Sequence, residues 1–432
     1  MTVEFSLVIP TRERADTLRH TLKSCLAQDF DSYEIIVCDN CSSLATRAVV
    51  EEIASPRIVY HRAPEPLCMR DNWNLAYSLT RGKYVTYIGD DDSLTPFAFS
   101  VLHDLFAREG VKAVRWDGGI YSWPNIARAD MADHLQIPIL REARRVDGRE
   151  AMKEVLSGRA PGIMLPNIYH GCVAREVLEE VRAKAGHVFE SFHCDTYSSF
   201  AIAHVAREFL SLSAPLSISG FSAASNNIAF NFMRSKHKNT QTLRGENDSA
   251  GLRLHPFVPD LPSGFVCVAD SFLRAKADLF PDDPLSLDRQ AMVEAFIDAP
   301  PIDDPDEWPL VEEELRRSVS DDPALLAWFN ARVSGYKPTP TPRDNYRPPF
   351  EGVASGRLFL DTAKYGVSDV EGATRLATRL LDYSGKSIDW ITGKRGGVLS
   401  RFREVYWTIR LRLLLQFLRL GLGSAKGDRA QA

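Results

Sequence analysis

The chain has 432 residues, 44% of them hydrophobic and 25% charged, with 52 Lys+Arg against 57 Asp+Glu for a net charge of −5. This composition excludes collagenous, fibrous and wholly disordered chains, and at roughly 150 residues per domain the length predicts two or three domains. The acidic balance speaks against a dedicated nucleic-acid binder, because phosphate contacts call for a basic excess.

Phe5 to Pro10 is an apolar run of strand length, and Asp16 is placed to cap a helix whose apolar positions Leu18, Leu22, Cys25 and Leu26 recur at helical spacing. Tyr33 to Cys38, Arg57 to His61 and Tyr84 to Ile88 read as further strands, with helices at Ala45 to Ile53 and Met69 to Leu79 between them. Another helix follows Pro96, and Ala113 to Trp116 reads as a strand. Repeated βα units predict an α/β fold with a mostly parallel sheet covered by helices on both faces. Helices are expected near Gly148 to Ser157, Arg175 to Ala185 and Thr196 to Phe209. Residues 236–335 are mixed and then acidic, with ten acids and two arginines between Asp298 and Asp322, which suits a solvated helical surface. Pro338, Pro340, Pro342, Pro348 and Pro349 predict an extended linker. Seven scattered cysteines, no charged leader with an apolar core and no uncharged apolar run of about 18 residues predict a reduced, cytoplasmic chain without a spanning helix.

In parallel sheets ligands bind beyond the carboxyl ends of the strands. The first strand ends in Pro10-Thr11-Arg12-Glu13-Arg14, the second in Asp39-Asn40-Cys41-Ser42-Ser43 and the fourth in Gly89-Asp90-Asp91-Asp92-Ser93. Three consecutive aspartates after an apolar strand repel one another, and burying them is costly unless a cation compensates. A hard divalent ion shared with substrate phosphates is the natural partner. Capping of the next helix by Asp92 or Ser93 is the plainer reading, but it explains one acid and not three. Asp39 is placed to accept hydrogen bonds from a base or ribose. Arg70 suits a phosphate or its neighbour Asp71 equally well. No G-x-G-x-x-G follows the first strand and no G-x-x-x-x-G-K-[ST] occurs, so dinucleotide and P-loop readings lose their support. Cys38 and Cys41 have C-x-x-C spacing, but no second pair completes a zinc set, and His187, His193 and His204 read as exposed or hydrogen-bonded histidines.

The run Val8-Ile9-Pro10-Thr11, the strand ending in Asp39, the stretch Met69-Arg70-Asp71-Asn72-Trp73-Asn74, and Gly82-Lys83-Tyr84-Val85 leading into Gly89-Asp90-Asp91-Asp92 resemble glycosyltransferase family 2, inverting enzymes of the GT-A fold. Gly186 to Tyr197 resembles the segment that carries that family's catalytic base, and the likeness covers about residues 4–235. The resemblance implies that Pro10, Thr11, Arg12, Glu13 and Arg14 line the nucleotide pocket with Arg70, that Asp39 contacts the base, and that Asp90 and Asp91 meet the donor. It further implies that Asp91 and Asp92 hold Mn2+ or Mg2+ and that Asp195 is the general base, with Glu190 in reserve. The chain departs from the commonest pattern at Asn40, where a second acid is usual, and at Gly89, where many members carry aspartate. The implied activity is transfer of a sugar from a nucleotide-diphosphate sugar to a saccharide or lipid-linked saccharide in bacterial-type polysaccharide or glycolipid assembly. The alternatives are a sugar-nucleotide nucleotidyltransferase, which wants a Gly-rich loop after the first strand, and a non-catalytic nucleotide- or carbohydrate-binding protein. The organisation expected on this basis is a nucleotide-sugar half at 1–116, an acceptor half at 117–235, a mainly helical extension at 236–393 and a basic tail at 394–432.

In that tail Leu399, Phe402, Tyr406, Ile409, Leu413, Phe417 and Leu420 share one helical face, flanked by arginines. Nine cations and two acids between Lys394 and Ala432 give this segment +7 and leave −12 on the remainder. A basic amphipathic helix over 396–422 suits an anionic membrane surface, on the cytoplasmic side. A second copy of the chain is a further candidate partner, for this helix or elsewhere.

Overall fold

The structure is a computed structural model that describes residues 3–126, 128–224, 238–302, 304–339, 350–381 and 388–392. Strands β1 (Phe5–Thr11), β2 (Tyr33–Asp39), β3 (Ile58–Arg62) and β4 (Tyr84–Tyr87) alternate with helices α1 (Ala15–Leu26), α2 (Leu44–Ile53) and α3 (Met69–Ser78). They lie side by side in the order β3-β2-β1-β4, all parallel, with Thr11 in register with Asp39 and Val8 with Tyr87. The chain therefore steps outward from β1 to β3 and returns to the far side of β1. That reversal opens a crevice between the ends of β1 and β4, the place where ligands bind in open α/β sheets. β1 and β2 are buried on both faces, which is why they read as largely apolar runs.

After β4 come the short β5 (Ser93–Leu94) and α4 (Ala98–Glu109), then β6 (Ala113–Trp116), β7 (Gly119–Ser122), β8 (His134–Pro138), β9 (Ala143–Asp147) and α5 (Gly148–Leu156). Next are β10 (Gly171–Ala174), α6 (Arg175–Ala185), α7 (Cys194–Ala206), β11 (Glu208–Leu212) and β12 (Ser217–Phe221). β10 runs antiparallel to both β4 and β6, so the first sheet is parallel at the β3 end and mixed beyond β4. A second, six-stranded sheet carries β5, β12, β7 and β8.

The C-terminal portion is mainly helical, as expected: α8 (Lys238–Ser249), α9 (Gly264–Leu279), α10 (Arg289–Asp298), α11 (Trp308–Ser318) and α12 (Pro323–Val333). Met292, Phe296, Trp308, Leu315 and Phe329 form a core of their own there. α9 also packs into the body, where Phe272 meets Phe200 of α7 edge-on at 5.4 Å. The hairpin β13 (Gly352–Ala354) and β14 (Arg357–Asp361) was not legible in sequence; it extends the second sheet by pairing β14 with β8. α13 (Val370–Leu381) then packs against α1, where His20 Nδ1 lies 3.5 Å from Asp369 and 3.7 Å from Glu371.

Three local expectations need correcting. α1 begins at Ala15 after Arg14, so Asp16 sits in the first turn, where it favours the helix dipole, and is not the cap. Asp92 and Ser93 do not cap α4, which starts after Phe97; Ser93 is in β5. α7 begins at Cys194 and ends at Ala206, because Phe209 is needed in β11. The helix expected over 396–422 and most of the Pro-rich stretch lie outside the described residues.

Candidate active site

At the crevice, the ends of β1 and β4 meet through side chains. Thr11 Oγ1 donates to Asp90 Oδ2 at 2.6 Å, and Arg14 Nη1 lies 3.0 Å from Asp90 Oδ1 and 3.5 Å from Asp91 Oδ2. Ser222 Oγ donates to Asp91 Oδ2 at 2.6 Å. Asp90, Asp91 and Asp92 are all buried. Burial pushes the Asp91 carboxyl up to about 7, with the charges of Asp92 and Asp90 adding to the shift and Arg14 opposing it. Burial also raises Asp90, against the pull of Arg14 and Thr11. Burial works against ionisation of Asp92 too, yet His170, Tyr169 and the Gly220 amide outweigh it and hold its carboxyl below the usual range.

Three hydrogen-bond donors and a close histidine around Asp92 explain that difference. Tyr169 OH and the Gly89 amide each reach Oδ2 at 2.6 Å, His170 Nε2 lies 3.1 Å from it, and the Gly220 amide reaches Oδ1 at 2.7 Å. A Cβ at Gly89 would stand 2.8 Å from Tyr169 OH, 3.0 Å from Asp92 Oδ2 and 3.1 Å from Asp91 Oδ1, so the tyrosine hydroxyl fills the space that a side chain at 89 would take. Gly220 is equally constrained, since a Cβ there would fall 1.8 Å from the Asp91 carbonyl oxygen. Trp123 Nε1 donates to that same carbonyl at 3.1 Å, and Thr21 Oγ1 donates to the Asp90 carbonyl at 2.9 Å. The whole turn after β4 is thus fixed from several sides.

At the end of the neighbouring β2, Asp39 is fully buried; its Oδ1 accepts from the Ser42 amide at 2.8 Å and its Oδ2 from Tyr60 OH at 2.6 Å. Asn40 pairs through both ends of its amide with the backbone of Leu67, at 2.8 Å each way, and so pins the loop before α3. Glu13 accepts from the amide and hydroxyl of Ser43, at 2.7 and 2.8 Å, which ties the β1 and β2 loops together at the start of α2. Pro10 is half-buried in register with Cys38. Arg12 is ion-paired with Glu246 of α8. Pro10 to Arg14 and Asp39 accordingly border one crevice, while Arg70 is turned toward protein partners: Asp71 at 2.8 Å and Glu190 at 3.4 Å.

Asp195 lies in the first turn of α7, partly exposed. The N-cap is His193 with no side-chain cap bond, so Asp195 does not serve as the cap. Among the described residues none engages its carboxylate by a hydrogen bond or ion pair. Its charge acts on Tyr169, whose hydroxyl is held protonated by burial first and then by Asp92, Asp91 and Asp195. Glu190, in contrast, is held between Arg70 and Arg274, the latter at 3.1 Å. All seven cysteines are free, including Cys38 and Cys41. His187, His193 and His204 do not form a metal cluster: His187 lies 3.3 Å from Asp278, and His204 stacks on Phe280 at 4.4 Å.

Tyr169, His170, Ser222, Tyr60 and Trp123 were not singled out from the sequence. Tyr169 and His170 precede a four-residue strand in a stretch without periodicity, and Ser222 directly follows β12.

Residues 6–157 match the family model for glycosyl transferase family 2. The chain is 34% identical over 98 residues to the putative colanic acid biosynthesis glycosyl transferase WcaA of Escherichia coli K12, covering 22% of this chain and 35% of that one. It is 34% identical over 107 residues to the GalNAc(5)-diNAcBac-PP-undecaprenol beta-1,3-glucosyltransferase of Campylobacter jejuni, covering 23% of this chain and 33% of that one. The chain thus spans about a third of the length of either relative. Among solved structures, S. aureus TarS 1–349 in complex with UDP-GlcNAc superposes with a TM-score of 0.48 at 13% identity, over 78% of this chain and 90% of that one. Residues 6–157, about a third of the chain, are thus similar to glycosyltransferase family 2.

Proposed function

We propose that this protein is a metal-dependent inverting glycosyltransferase that moves a sugar from a nucleotide-diphosphate sugar to a hydroxyl of a saccharide or lipid-linked saccharide. The observation that carries this reading is Asp91: a buried carboxylate between two other acids, at the point where the strand order reverses, with its carboxyl pushed up to about 7. Arg14 is the cation that faces it, and one guanidinium shared with Asp90 leaves negative charge uncompensated. That donor set fits a hard divalent ion such as Mn2+ or Mg2+. Asp91 is the proposed direct ligand, with Asp90 beside it. Asp92, expected as a second ligand, has both oxygens engaged by protein donors, so its proposed role is to anchor the turn that presents Asp91.

Bound there, the ion would act as a Lewis acid toward the charge that builds on the leaving diphosphate. Thr11 and Arg14 fix Asp90 and orient the turn, and Pro10, Arg12, Glu13 and Asp39 border the proposed nucleotide pocket. Asp39 has both oxygens in protein hydrogen bonds, so its proposed contact with the base uses a remaining lone pair. Arg70 enters as a support for Glu190 and not as a phosphate ligand. The acceptor oxygen attacks the anomeric carbon, the bond from that carbon to the diphosphate oxygen breaks with its electron pair, and the hydroxyl proton passes to Asp195. Asp195 suits that role because no described side chain competes for its carboxylate. The lipid-linked saccharide named for the C. jejuni relative supports an acceptor of that class, in bacterial-type polysaccharide or glycolipid assembly. The basic segment 396–422 would bring the enzyme to the anionic cytoplasmic face of a membrane.

A thermal-shift screen of UDP-glucose, UDP-galactose, UDP-GlcNAc and GDP-mannose, with Mn2+, Mg2+ or EDTA, tests the reading. One donor should raise Tm only with the metal present, and Asp91→Asn should erase that increment. Stabilisation by no donor, or equal stabilisation in EDTA, would overturn it.

A further inference from the structure

The segment that leads into α7 is gripped from two sides. From within the family 2 domain, the Asn74 side chain accepts from the amides of Val188 and Phe189 at 3.1 and 3.2 Å and donates to the Phe189 carbonyl at 2.8 Å. From the helical extension, outside that domain, α9 supplies the second grip. Ser191 Oγ donates to Asp270 Oδ2 at 2.6 Å, and Ser271 Oγ reaches Ser191 Oγ at 3.2 Å and the His193 carbonyl at 3.5 Å. Asp270 is fully buried, and its remaining capacity is taken by the His255 amide at 2.7 Å and Arg274 Nε at 2.9 Å. Arg274 continues the chain to Glu190 at 3.1 Å.

Two features of this grip exceed what packing needs. Ser191 has a φ of +74°, a left-handed conformation that a residue with a Cβ holds only when its surroundings impose it. Asp270 is a carboxylate taken wholly out of water, which is costly unless it is paired and fully hydrogen-bonded. A leucine at 270 would fill a helix interface at no such cost. Besides Arg274 and the His255 amide, that carboxylate holds a serine in a left-handed turn four residues before Asp195.

We infer that Asp270 is a positioning residue for the transfer reaction: acting through Ser191, it sets the start of α7 and so the placement of the Asp195 carboxylate. The extension is then part of the reaction site and not a separate appendage. This rests on Asp195 being the base, as proposed above. Misplacing a reacting group by about 1 Å costs on the order of 10²-fold in rate, so loss of the grip should appear in turnover and not in donor binding.

The experiment uses the full chain with Mn2+ and whichever of UDP-glucose, UDP-galactose, UDP-GlcNAc or GDP-mannose stabilises it most, reading release of the nucleoside diphosphate with water as acceptor. Asp270→Asn keeps the shape and removes the charge; Ser191→Ala and Ser271→Ala are milder variants should Asp270→Asn fold poorly. Expected are a 10- to 100-fold lower kcat for Asp270→Asn and Ser191→Ala, an unchanged donor KM and donor-induced thermal shift, and no further loss when either change is made in Asp195→Asn. A wild-type kcat per folded molecule in both Asp270→Asn and Ser191→Ala overturns the inference, as does an undiminished loss in the Asp195→Asn background. If Asp195→Asn alone keeps full turnover, the base assignment fails first and the inference falls with it. That outcome is distinct from failure at Asp270, where Asp195→Asn is inactive and Asp270→Asn is not.

Discussion

Tyr169 donates its hydroxyl to Asp92 at 2.6 Å, from the space that a Cβ on Gly89 would enter at 2.8 Å. The glycine and the tyrosine are therefore two halves of one arrangement. Gly89→Ala should cost about 1–3 kcal/mol by overpacking, and Tyr169→Phe should cost about 1–3 kcal/mol by withdrawing a donor from a buried carboxylate. Because the phenylalanine vacates the contested space, the double variant should cost less than the sum of the two. Urea unfolding of the four proteins measures this coupling, and strict additivity would contradict it.

Asp91 and Asp92 should respond in opposite ways to neutralisation. Asp91→Asn relieves a carboxylate whose ionised form is disfavoured by burial and two acidic neighbours, so the metal-free protein should be as stable as the parent or more so near pH 8 while losing its metal-dependent donor response. Asp92→Ala strips the partner from Tyr169, His170 and two backbone amides and should destabilise by about 3–5 kcal/mol. Calorimetry with and without Mn2+ separates the two outcomes.

Asp195→Asn should leave the donor-induced thermal shift intact and lower turnover by about 10²- to 10⁴-fold, the range for a positioned proton acceptor. Donor titration and nucleoside diphosphate release on the same preparation check both halves of this expectation.

His134 provides a pH test of the C-terminal hairpin. It is 3% exposed in β8, where burial lowers the pKa of its imidazole and nearby Asp361 of β14 only partly restores it. The unfolded chain binds this proton from about pH 6.5 downward and the folded chain only at a lower pH, so stability present above pH 6.5 is lost as the pH falls between the two, by up to about 1.4 kcal/mol per pH unit. Urea unfolding between pH 7 and pH 5 should show the decline, and His134→Gln should reduce its slope.

The parallel half of the fold was legible because each of its elements carries its own period. β1 and β2 are apolar runs bounded by polar turns, and α6 and α5 appear at or within a residue of their expected bounds. Asp90 to Asp92 stood out because helix capping would explain one acid and not three. What supports them did not stand out: Tyr169 and Gly220 reach Asp92 from elements remote in sequence, and a tyrosine or glycine in an aperiodic stretch looks like any other. The hairpin at Gly352–Asp361 escaped for a related reason, since its strands are short and their partner lies far back in the chain.

That pairing has a consequence for how the protein is made. β14 adds to the outer edge of β8, Arg357 opposite Pro138 and Asp361 opposite His134, and α13 then seats on α1. During synthesis the edge of β8 waits, unpaired, while residues 139 to 356 leave the ribosome, on the order of ten to forty seconds at roughly 5–20 residues per second. An open strand edge is a template for pairing with other chains. The match to the glycosyl transferase family 2 model ends at residue 157, but the second sheet is finished only when the C-terminal hairpin arrives, and translation stopped between the two should yield nascent chains that depend on chaperones to stay apart.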